Sequence, residues 1–133
     1  MIKRGDMFEP ILEACPGFVP TWRAFCVEWA GEGERPEYLA LADLARYLIA
    51  MLEQEKLSEL KAVFEVVERW HLEGEPYVKE AATIGLLENL QNENLHNTTS
   101  PDDFLRFLLP ESRFWWDKVV AFWETGQIIV DDR

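Results

Sequence analysis

Two carboxylates, Glu80 and Glu88, stand eight residues apart in the stretch YVKEAATIGLLENLQN, residues 77–92. At 100° per residue they fall, with Gln91 and Asn92, within about 120° of one another on a helix. Three chemistries suit such a strip. It can be a half-exposed edge whose acids pair with lysine or arginine, a polar contact patch for a partner, or a metal site or acid/base pair. The third needs more than two carboxylates. No histidine stands three or four residues from either, so the Glu-x-x-His spacing of carboxylate-bridged metal bundles is missing.

The other reactive side chains are few. The chain has two histidines. His71 lies near the end of a helix on the side of Phe64 and Val67, the place of a core or helix-end histidine. His96 sits in a polar loop and is expected at the surface. There is no nucleophile elbow, phosphate-binding glycine loop or Cys-x-x-Cys pair. No enzyme, cofactor or metal is therefore expected. Cys15 and Cys26 flank a Pro-Gly turn and are expected to remain thiols and pack as small hydrophobes.

The elements that must position these residues are helical. Seven segments show apolar spacing of i, i+3, i+4, i+7. They cover 8–14, 21–30, 36–53, 57–73, a fifth opening at Pro76, a short sixth from Pro101, and a seventh capped by Ser112 and ended by Gly126. No alternating strand pattern appears, so the fold class is all-α: a single domain over residues 1–133, a compact bundle with antiparallel helical hairpins. Most of the tryptophans fall on apolar stripes and are expected in the core, whereas Phe114 points away from its helix's apolar side. The tail QIIVDDR can be docked or frayed.

The fifth helix carries apolar residues nearly all round, which marks a rod contacted by several others. Gly85 within it costs about 1 kcal/mol of helix propensity relative to alanine. Close approach of a neighbouring helix to the small face of Val78, Ala81, Ala82 and Gly85 is the compensation expected.

Charge bounds the partners. Thirteen basic residues against 25 acidic give a formal net charge of −12, spread along the whole chain. Such a surface disfavours nucleic acid and anionic lipid and speeds encounter with a basic protein; solubility alone is the other reading. The opening MIKRGDMFEP turns acidic before any continuous apolar stretch, so no secretory signal is read and the cytoplasm is the expected location. No apolar run approaches the roughly 20 residues that span a bilayer.

Two segments carry a family resemblance: FEPILEACPGF at residues 8–18 and RWHLEGEPYVKEAATIGLLENLQN at residues 69–92. They resemble a family of small, all-helical, uncharacterised bacterial proteins encoded in variable neighbourhoods, and the resemblance implies immunity proteins of polymorphic or contact-dependent toxin systems. No established active site travels with it. The implied activity is stoichiometric binding of a cognate, basic, nuclease-type toxin. Glu80, Glu88 and Asn92 form one expected contact strip, and Glu65 and Glu68, on the outward side of the fourth helix, form another. The alternative is a structural or adaptor domain, dimeric through Phe114 and the Ile128-Ile129-Val130 tail.

Overall fold

A computed structural model describes residues 1–31 and 33–133, and among them the architecture is all-helical. The helices are α1 (Glu9–Ala14), α2 (Val19–Glu28), α3 (Glu37–Glu53), α4 (Leu57–Glu73), a continuous rod α5 over residues 76–90, and α6 (Pro110–Thr125). The expected sixth helix is a 3-10 helix, Pro101–Phe107, opened by a reciprocal capping box between Ser100 and Asp103. Among the described residues the one β-type pairing is a bridge between Ile2 and Gly74, which ties the N-terminal segment to the end of α4.

α3 and α4 are neighbours because only residues 54–56 join them, with Glu55 in the left-handed region at φ 58°. Each turns an apolar stripe inward. Leu41, Leu44, Ala45 and Leu48 of α3 are buried, as are Leu60, Val63, Phe64 and Trp70 of α4. α1 crosses α4, and the Trp70 indole N–H donates to the Met7 carbonyl at 3.0 Å, fixing the chain's start against the core. Arg4 adds a second tie. Its Nε lies 2.6 Å from the buried carboxylate of Glu37, and its guanidinium covers the Tyr77 ring at 4.2 Å.

The rod α5 is the interior element that its pattern predicts. It packs against α3, α4 and α6, with Ala81, Ala82, Gly85, Leu86, Leu87 and Leu90 buried. Gly85 is where α3 comes close: a Cβ there would lie 2.6 Å from Leu41 Cδ1 and 3.2 Å from Tyr38 Cδ1. One feature departs from the sequence pattern. Ala81–Leu87 is π-helical, with the Glu88 amide reaching back five residues to the Thr83 carbonyl. The Asn89 side-chain amide donates to the Gly85 carbonyl at 2.6 Å, holding the wide turn closed.

Three further expectations are corrected. α6 begins at Pro110, so Ser112 lies inside its first turn and is not its cap. His96 is half-buried, donating from Nε2 to the Leu90 carbonyl at 2.9 Å and facing Phe104, because the polar loop folds back over the end of the rod. The tryptophans divide: Trp70 and Trp116 are fully buried, but Trp123, a turn beyond the last core contact of α6, is 55% exposed. Cys15 is buried, with its thiol pushed up to about 12 by burial, and Cys26 is half-buried; both are free.

Candidate functional site

Three features hold polar side chains in arrangements that can do something: a buried network and two surface grooves. The network is built where α4, α5 and α6 meet. Glu68 of α4 turns inward and is 9% exposed. Its carboxylate accepts the Glu111 amide at 2.9 Å, the Ser112 amide at 2.7 Å and the Ser112 hydroxyl at 2.9 Å. Glu68 thus caps α6 from another helix, satisfying first-turn amides that lack intrahelical partners. The expectation that Glu68 faces outward is corrected. Helical spacing left it at the margin of the α4 stripe, and the requirement that decides its direction belongs to α6, 43 residues away in sequence.

His71, one turn on, joins the same network. Its Nδ1 lies 3.0 Å from Ser112 Oγ and its Nε2 3.0 Å from Thr83 Oγ1. The Ser112 hydroxyl proton is committed to Glu68, so Nδ1 carries the hydrogen and donates to Ser112, while Nε2 faces the Thr83 hydroxyl, whose one proton is shared with the Lys79 carbonyl at 3.3 Å. Burial lowers the His71 pKa from 6.5 to about 4, against the opposing pull of the Glu68 and Glu111 carboxylates, so the ring is neutral near pH 7. A serine, a histidine and a carboxylate in contact invite comparison with a hydrolytic triad, but the proton order is wrong. Ser112 gives its proton to the carboxylate, receives one from histidine and is 0% exposed, so no substrate reaches an activated hydroxyl. The cluster is a three-helix lock with every buried side-chain polar atom partnered among the described residues.

The larger groove, about 500 Å³, is open to solvent between the 91–102 connection and the last turns of α6. Residues 91–94 and 100–102 form one wall; Trp116, Val120, Trp123 and Glu124 form the other. The Gln91 side-chain amide donates to the Trp116 carbonyl at 3.0 Å, and Asn92 Oδ1 accepts the Asn94 amide at 3.0 Å, so the connection is held in place. Glu93, Asp102 and Glu124 bring three carboxylates to the groove. No lysine or arginine lines it, and none of the three makes an ion pair among the described residues.

A smaller groove, about 390 Å³, runs between the start of α4 and residues 106–109. Its walls are Leu57, Phe107, Leu108 and Leu109, with Lys61, Glu65 and Arg106 as its charges.

The structure distributes the five residues singled out in the sequence. Asn92 is in the larger groove, Glu65 in the smaller, and Glu68 in the buried network. Glu80 is exposed, with its charge felt by the Tyr38 hydroxyl; Glu88 is half-buried, and burial raises its pKa. The strip joining Glu80, Glu88 and Asn92 assumed 100° per residue, and the π-helical Ala81–Leu87 interrupts that count between the two acids. Phe114, read as pointing away from the core, lies under the tail. Arg133 stacks on its ring at 3.9 Å and reaches Glu111 at 2.6 Å, while Lys118 reaches Asp132 at 2.7 Å. The tail is therefore docked along α6.

Trp123, Glu93, Asp102 and Glu124 were not singled out in the sequence. Their signal was present but faint. Trp123 sits in the last turn of its helix, beyond the span that a partner helix could cover, and the three acids come from separate segments.

No curated protein and no solved structure matches the chain. A family model does match, over residues 8–124, which takes in both segments of the resemblance and every helix from α1 into the last turn of α6. The chain belongs to the family described as "Domain of unknown function (DUF7674)".

Proposed function

We propose that this protein is a cytoplasmic immunity protein, one that binds a cognate basic toxin, of the nuclease type, one to one and covers its active or substrate-binding surface. The observation that carries the reading is the −12 net charge together with one groove lined by an exposed tryptophan and three carboxylates that make no ion pair among the described residues. Electrostatic complementarity of this kind raises the association rate and rejects wrong partners. The buried network fits a scaffold role, since it braces α6, the helix that forms one wall of the groove, and offers no reactive group to solvent. No described helix is long and apolar enough to cross a membrane.

The test is co-expression with the product of each adjacent reading frame in a heterologous host. The reading expects one neighbour to be toxic alone and harmless with this chain, and to co-purify with it in equal amounts at low salt. Adjacent products that are all harmless, or a toxic one that this chain neither rescues nor binds, overturn it.

A specific observation favours a second reading, a dimeric adaptor: Ile128 and Val130 of the docked tail and Phe122 are exposed. Phe114 no longer belongs to that surface, because Arg133 covers it. Light scattering separates the readings, since an adaptor of this kind is a concentration-independent dimer and the immunity protein need not be.

A further inference from the structure

The larger groove has a more specific chemistry than a diffuse acidic surface. Trp123 lines it and is 55% exposed, and Phe122, also exposed, packs against that indole in an edge geometry with ring centroids 5.7 Å apart. Glu93 and Asp102 approach from the facing connection and Glu124 from the residue after the tryptophan. Tryptophan is the strongest of the aromatic faces for a cation, and its attraction grows when carboxylates share the site. None of the three acids has a cationic partner among the described residues, which leaves their charge to a partner.

We propose that this groove receives a single arginine side chain from the protein's partner, with the guanidinium plane laid on Trp123 and its N–H groups shared among Glu93, Asp102 and Glu124. The proposal rests on the reading of the protein as a binder of a basic protein, and names where and by what chemistry that binding is anchored. Arginine fits better than lysine. A guanidinium is planar, stacks on an indole and carries five donors in a fixed fork that can reach carboxylates on opposite walls, whereas an ammonium is a compact and strongly hydrated point charge. A protein fits better than a free small cation, because the exposed Phe122 beside the groove is apolar area that only a macromolecular surface would cover. Gln91 on the Trp116 carbonyl holds the two walls in register, which lowers the ordering cost of binding.

The experiment is a nuclear magnetic resonance titration of the full chain with acetyl-Gly-Arg-Gly-amide, with the citrulline and lysine tripeptides and spermidine as parallel probes. Saturable shifts are expected at the Trp123 indole N–H and at the amides of residues 92–94 and 100–102. The citrulline peptide, which lacks the charge, should produce none, and the lysine peptide should bind about fivefold more weakly. Trp123 and Glu124 are exposed, so Trp123→Ala and Glu124→Gln fold normally. Each should weaken arginine-peptide binding by about threefold or more. Shifts scattered over the acidic surface, binding untouched by Trp123→Ala, or equal response to lysine overturns the proposal. Spermidine seated in the same groove more tightly than the arginine peptide overturns it in favour of a free polyamine. The titration needs no toxin, so its failure leaves stoichiometric binding through another face standing, while failure of the co-expression test leaves an arginine-binding groove without its proposed partner.

Discussion

Replacing Glu68 by alanine removes the acceptor for two backbone amides and one hydroxyl at the start of α6, at 2.7–2.9 Å. Hydrogen bonds to a charged group contribute about 1.5–3 kcal/mol each, and an ordinary helix cap about 1 kcal/mol. Against this stands the cost of holding a carboxylate out of water, which its removal relieves. The net loss expected for Glu68→Ala is about 3 kcal/mol, a large part of the roughly 5–15 kcal/mol by which small domains are stable. Glu68→Gln keeps one acceptor oxygen and should lose about half as much. Glu65→Ala, three residues earlier and exposed, should stay within about 0.5 kcal/mol of wild type. Urea unfolding followed by tryptophan fluorescence measures all three. In a double-mutant cycle with Ser112→Ala, Glu68→Ala should show a coupling of at least about 1 kcal/mol. If Glu68→Ala is as mild as Glu65→Ala, the carboxylate is not capping α6 and the three-helix lock is wrong.

Gly85→Leu should destabilise by about 3 kcal/mol or more, because Leu41 Cδ1 already lies 2.6 Å from where a Cβ would sit; a melting temperature near wild type would contradict the close approach of α3. His71 titrates at about 4 in the folded chain against 6.5 when unfolded. Its contribution is whole above pH 6.5 and is lost progressively as the pH falls to about 4, a total of about 3 kcal/mol at about 1.36 kcal/mol per pH unit. The difference in stability between wild type and His71→Gln, followed by urea unfolding from pH 7 to 4, should shrink across that window, and a constant difference would refute the neutral buried ring. Arg133→Ala combined with Lys118→Ala should free residues 127–133 from α6, seen as fast backbone motion in NMR relaxation, while thermal stability changes little, since exposed ion pairs contribute little. An ordered tail in that double variant would mean that contacts other than Glu111, Phe114 and Lys118 hold it.

Periodicity made the helices legible because burial of one stripe is a local property of each segment. The span of α4, the glycine stop after α6 and the interior position of α5 follow from such stripes, and Gly85 follows from the cost of a glycine that nothing else would repay. Features set by two distant segments were harder to read. Glu68 looks like an outward helix residue and Ser112 like a cap, and only the meeting of α4 with α6 makes Glu68 the cap of the other helix. The π-helical Ala81–Leu87 has no compositional mark, and it shifts every face beyond it, which is why Glu80, Glu88 and Asn92 do not inherit the strip that an ideal helix would give them. The groove draws on the 91–102 connection and the end of α6. Its acids are legible singly as charge, and their convergence on Trp123 only in three dimensions.

The most direct test of the central claim, that the protein acts by binding a basic partner through its acidic exterior, is titration calorimetry against the toxic product of an adjacent reading frame at several salt concentrations. The account predicts one-to-one binding that weakens steadily as salt rises and that Trp123→Ala weakens further without altering the stoichiometry. Binding that ignores salt, or no binding to any neighbouring product, would contradict it.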